Sequence, residues 1–189
     1  MNKATEFLNK TIVPALTALS ENTYLSAIRA GMVSVVPLTI IGGLFMIVTF
    51  LPIKGWDTVI APYLQLLQIP VTATFGMLGV FVCFAVSYDL GKQLKQEAVV
   101  SASMATAIFL MISLKLEDQT LITENLGSKG MFTAIIVALV SVRVQKFFTD
   151  KNFVIKMPAN VPSVVYESFL SLSPLCFLVL VFWLIRFVA

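Results

Sequence analysis

The chain has no histidine. That removes the commonest general base, metal ligand and phosphoacceptor together. It has two cysteines, Cys83 and Cys176, each inside an apolar run. Such a pair offers neither a metal-binding spacing nor a disulfide framework, and apolar surroundings oppose the thiolate that a reactive cysteine needs. Charge is scarce, at 12% of 189 residues against about 25% in an ordinary soluble domain. The net charge of +3 contains no basic block, so nucleic acid is not an expected partner. There is no Gly-rich phosphate loop, no HExxH and no Ser/His/Asp set. A secretory signal is not expected either. Lys3 and Lys10 imitate a basic n-region, but Glu6, Asn9 and Pro14 break up the apolar h-region that a signal needs.

What is present is apolar sequence, at 58% of the residues and spread over the whole length. Four long apolar stretches and a fifth that runs to Ala189 predict an all-α integral membrane protein with about five transmembrane helices. The spans are expected over Ser26–Leu51, Val71–Leu90, Ala98–Leu114, Gly130–Phe148 and from about Glu167 or Ser168 to the end. Residues 1–25 are read as an N-terminal amphipathic interfacial helix and 26–189 as the bundle. Ala4, Leu8, Ile12, Ala15 and Leu19 share one face of the first segment, with Lys3, Glu6, Asn9 and Lys10 mostly opposite. Packing of that helix on the rest of the protein is the alternative. Residues 58–70, with Pro62 and Pro70, are too short to cross and predict a re-entrant or surface helix. Trp56 suits an aromatic belt. The fifth stretch has no hydrophilic tail, so the protein is expected to continue beyond it.

The basic residues sort by loop. Lys3, Lys10, Arg29, Lys92, Lys95, Arg143, Lys146, Lys151 and Lys156 belong to one set, and only Lys54, Lys115 and Lys129 to the other. Basic residues resist translocation, so the N-terminus is expected in the cytoplasm and Ala189 near the outer face. Arg186, inside the fifth span, is expected to snorkel to the outer interface. The alternative is a functional buried cation.

Few side chains invite chemistry. Asp89 and Lys92 are spaced for an i,i+3 ion pair. Glu167 opens the fifth helix, where a carboxylate complements the helix dipole. Asn160 and Glu167 lack nearby partners that define a reaction. Gly79, Cys83, Ser87 and Gly91 form one stripe of small residues, and Ala98, Ala102, Ala105 and Thr106 form another. In lipid, such stripes let helix backbones approach closely. No catalytic, substrate-binding or metal-binding residue is assigned, and no cofactor is expected.

The connector MP-x2-VP-x2-V-x2-SF-x2-L-x-P, Met157 through Pro174, resembles that of a known family. Leu126–Phe148 and Ser87–Met111 agree with the same family. It is the membrane component (enzyme IIC) of the bacterial PEP-dependent sugar phosphotransferase systems of the lactose/cellobiose/diacetylchitobiose type. Ser163 stands where many members carry a further proline. Members are roughly twice this length, with about ten spans, and the resemblance maps the chain onto their N-terminal half. That half implies a scaffold and most of a homodimer interface. The transport half, with its sugar pocket and sugar-contacting histidine and glutamate, is then absent from residues 1–189. The implied function is group translocation of a β-linked disaccharide of cellobiose, chitobiose or lactose type across the bacterial plasma membrane, coupled to phosphorylation by a IIB partner that IIA serves. Membrane lipid is the remaining expected partner. The alternative is a non-transporting scaffold or regulatory half-permease. Whether the chain is part of an enzyme is left open, since its own residues supply no catalytic set.

Overall fold

The computed structural model describes residues 21–117, 120–153 and 171–188. The amphipathic segment 3–19, the connector 154–170, and with them Asn160 and Glu167, lie outside the described residues.

The first helical run, Thr23–Thr49, is built from α1 (Thr23–Ser34) and α2 (Val36–Thr49). It starts where Asn22 caps it, the Oδ1 accepting from the backbone N–H of Tyr24 at 2.9 Å. This is an ordinary N-cap, and it brings the helix in three residues before Ser26. Pro37 has no N–H to continue the ladder. The chain answers with a local turn, in which Leu38 and Thr39 both donate to the Val35 carbonyl. At 27 residues the run is about 40 Å long.

The second run, Trp56–Gln93, contains α3 (Trp56–Ile60), α4 (Leu64–Thr74) and α5 (Leu78–Gln93), joined by single 3-10 turns at Ala61–Tyr63 and Phe75–Met77. Gly55 adopts φ +83 at the entry, a left-handed conformation that favours glycine. The expected helix over 58–70 is present, but it does not stop at Pro70. α4 passes through that proline to Thr74, and α5 begins only at Leu78. Membrane helices tolerate such a proline where nearby groups satisfy the disturbed backbone. The N–H missing at Pro70 is the one that would reach the Leu66 carbonyl, and one turn on the Thr74 hydroxyl donates to the Pro70 carbonyl at 2.7 Å. The two runs lie antiparallel. Gly31 is pressed against Val86 and Gly42 against Thr74 and Phe75.

Three more helices complete the described fold: α6 (Ala98–Ser113), α7 (Met131–Asp150) and α8 (Leu172–Val188). α6 and α8, at 16 and 17 residues, are at the short end of what crosses a bilayer. Each of the five expected spans thus has its helix. Pro174 sits in the first turn of α8, where a missing N–H costs nothing. The expected polar loop 115–129 holds a small antiparallel pair, β1 (Lys115–Glu117) and β2 (Thr120–Ile122), with Leu116 opposite Leu121. Two 3-10 turns then lead into α7.

The core is where α5, α6 and α7 meet. Val82, Cys83 and Val86 face Ala105, Ile108 and Phe109, with Ala134 and Ala138 closing the triangle and Leu178 of α8 against it. A smaller cluster of Ala27, Leu90 and Val142 joins α1 to the same triangle. By contrast α2 and α4 pack chiefly on each other. Ile40, Leu44, Ile47, Phe50, Leu66 and Ile69 stand between 59% and 71% exposed. Contiguous apolar surface on that scale is a liability in water and ordinary in lipid.

Candidate functional site

The small-residue stripes are sites of close helix packing. Gly79, Cys83, Ser87 and Gly91 are all buried on one face of α5. A Cβ at Gly91 would stand 2.9 Å from the Ser101 side chain of α6. One at Gly79 would stand 2.8 Å from the carbonyl oxygen of Leu126. Ala102 and Ala105 are fully buried on the facing helix. Cys83 belongs to this interface and is buried, whereas Cys176 on α8 is exposed.

One end of the bundle gathers polar side chains. The Ser101 hydroxyl donates to Gln145 Oε1 at 2.6 Å, linking α6 to α7. The Thr149 hydroxyl lies 3.0 Å from Gln96 Oε1, in the turn between α5 and α6. Ser141, one turn away on α7, is fully buried and its Oγ has no hydrogen-bond partner among the described residues. Lys92, Lys95 and Lys151 surround this end and are exposed. Asp89 does not pair with Lys92 as its spacing suggested. Its Oδ2 accepts instead from Gln93 Nε2 at 2.6 Å, an i,i+4 contact that faces more directly along the helix. A groove of about 320 Å³ runs past it between α1 and α5, lined by Ala30, Ser34, Phe84, Ala85, Tyr88 and Asp89.

The opposite end holds Lys115, Lys129 and Arg186. Lys129 pairs with Glu124 at 2.6 Å across exposed surface, and the ammonium holds that carboxyl below its usual range. Arg186 reaches the C-terminus of α6, where its Nη1 donates to the Met111 carbonyl and, at 3.4 Å, to that of Ile112. It thereby satisfies carbonyls left open by the helix end. Trp56, at the tip of the α2–α4 arm, donates its indole N–H to the Val48 carbonyl at 2.9 Å. Lys92, Lys95 and Lys151 thus stand at the end opposite Lys115 and Lys129.

No group of three or more histidine, cysteine or acidic side chains suited to a metal occurs among the described residues. The described geometry offers packing faces and two polar ends, with no convergent acid–base set. The family model for the phosphotransferase system EIIC component matches residues 29–189. The chain belongs to this EIIC family. It is 33% identical over its full length to the cellobiose-specific EIIC component of Geobacillus stearothermophilus, covering 46% of that protein. It is 34% identical, over 96% of its length, to the oligo-beta-mannoside-specific EIIC component of Bacillus subtilis, covering 43%. Among solved structures it is similar to the transporter ChbC, the IIC component of an N,N'-diacetylchitobiose-specific system. That match has a TM-score of 0.84 and 32% identity, over 96% of this chain and 46% of the other. The chain spans about half the length of the curated relatives it matches. As an EIIC-family chain with apolar helices of this length, it is a multi-pass membrane protein.

Proposed function

We propose that residues 1–189 supply the scaffold half of a phosphotransferase-system permease for a β-linked disaccharide. The observation that carries the reading is the family match over 29–189, together with relatives named for cellobiose and diacetylchitobiose. In this reading the sugar pocket is built by sequence corresponding to the remaining part of those relatives. The sugar would be phosphorylated by a IIB partner charged by IIA, with no phosphoryl group carried on this chain.

The same reading puts the Lys92/Lys95 end, and the N-terminus with it, in the cytoplasm of a bacterial plasma membrane. The support is electrostatic, since basic loops resist translocation. It also makes the scaffold a homodimer. The apolar arm formed by α2 and α4, which is exposed among the described residues, is the surface proposed for it.

Uptake assays test the proposal. Cells expressing residues 1–189 alone are expected to accumulate no phosphorylated cellobiose or chitobiose. Joined to the second half of the cellobiose-specific relative, the same residues are expected to restore uptake. Accumulation by the 189 residues alone would show that they hold the pocket. Failure of every chimera, with the protein folded in the membrane, would favour the non-transporting scaffold.

A further inference from the structure

A cleft of about 370 Å³ opens beside the last turns of α8, lined by Met111, Trp183, Arg186 and Phe187. Neither helix packing nor the transport reading uses it. Arg186 is exposed, and among the described residues no carboxylate pairs with it. Its contacts on α6 are made through Nη1 alone. A guanidinium presents five N–H donors in a rigid fork, so the Nη2 and Nε edge remains open to an acceptor. Trp183 and Phe187 stack at 6.0 Å between ring centroids and stand 53% and 79% exposed. The cleft lies at the bundle end opposite Lys92 and Lys95, where the apolar helices stop. Exposed aromatics beside a cation at that level are the composition of a membrane–water interface.

We propose that this cleft binds the headgroup of an anionic phospholipid in the leaflet opposite the Lys92/Lys95 end. The open edge of Arg186 takes the phosphodiester, in the bidentate manner that favours arginine at phosphate. Trp183, Phe187 and Met111 cover the glycerol and the top of an acyl chain. The apolar walls favour a lipid over a free anion. The unpaired positive charge favours a net-negative headgroup over a zwitterionic one.

The test uses the 189-residue chain in neutral detergent. It is titrated with short-chain phosphatidylglycerol, short-chain phosphatidylcholine and inorganic phosphate, and read by native mass spectrometry and thermal unfolding. Phosphatidylglycerol is expected to bind about fivefold tighter than phosphatidylcholine, the discrimination one basic residue supplies near a membrane surface. Inorganic phosphate is expected to leave Tm unchanged. Arg186→Gln should abolish the preference. Phe187→Ala leaves the carbonyl contacts intact and should weaken binding of both lipids, which covers the case where Arg186→Gln does not fold. Equal binding of the two lipids by the unaltered chain would overturn the proposal. So would a full preference in Arg186→Gln, unchanged lipid binding in Phe187→Ala, or stabilisation by inorganic phosphate equal to that by phosphatidylglycerol.

Discussion

Asp89 and Gln145 show what single side chains contribute to a bundle of this kind. Both make contacts at 2.6 Å, but Asp89 does so within its own helix and Gln145 across to α6. Only the second ties helices together. Interhelical hydrogen bonds in membrane proteins average about 0.6 kcal/mol, because the separated helices find other partners. Gln145→Leu is therefore expected to cost about 0.5–1.5 kcal/mol, measured by denaturant unfolding in detergent. A larger loss would mean that the neighbouring Thr149–Gln96 contact fails with it. At the other end, Lys129 lowers the pKa of Glu124. A depressed carboxylate stabilises the fold above its unfolded pKa and ceases to do so as pH falls through the folded value. Both partners are exposed, so the effect on stability is small. The titration itself is the better measurement. In Lys129→Gln the Glu124 carboxyl resonance is expected to titrate at higher pH than in the unaltered protein. The i,i+3 spacing of Asp89 and Lys92 was legible in the sequence, but the side chain's choice of Gln93 was not. The Arg186 contact joins residues 75 positions apart, and no local pattern announces it.

At the level of helices, the small-residue stripes were legible because four-residue spacing puts residues on one face. Their partners were not, since spacing says nothing about what lies opposite. The glycines separate the two cases. A Cβ at Gly79 meets the Leu126 and Gly127 carbonyls, which are backbone and cannot swing away. Gly79→Ala is expected to destabilise by about 1–3 kcal/mol, and Gly79→Leu or Ala102→Leu by more. Gly43 has nothing within 4 Å of the added atom. Gly43→Ala is expected to be neutral or stabilising by up to about 1 kcal/mol, through helix propensity. Thermal unfolding of the pair in one detergent checks both signs, and equal behaviour would remove the stripes as the basis of packing. The helix through Pro70 was misjudged at its boundary for a related reason. Proline is unfavourable inside a helix in water, whereas membrane helices tolerate it, and α4 runs on through Pro70 to Thr74.

For the molecule as a whole, hydropathy located all five spans, and the loop charges divided between its ends. What hydropathy did not show is that the spans are unequal in role. α5, α6 and α7 make a dense triangle, while α2 and α4 extend as a pair with apolar sides outward. The proposed orientation rests on the charge asymmetry and is directly measurable. In whole cells, a cysteine at Lys129 is expected to react with an impermeant maleimide and one at Lys95 only after lysis, both in a background with Cys83 and Cys176 replaced. The reverse pattern would invert the proposed topology. If the arm is the dimer surface, charged residues at Leu44 and Ile47 should shift the detergent-solubilised protein toward monomer, as read by light scattering.

Val35 gives the first helical run a joint near its middle, with Pro37 just beyond it. A rod of about 40 Å must be fitted into roughly 30 Å of hydrocarbon, and the excess goes into lean, or into bending where the ladder is already open. Lipid chain length then becomes a control knob. Thin bilayers should fold the α2 half of this rod over at Val35, carrying α4 with it, while the short α6 beside the core stays upright.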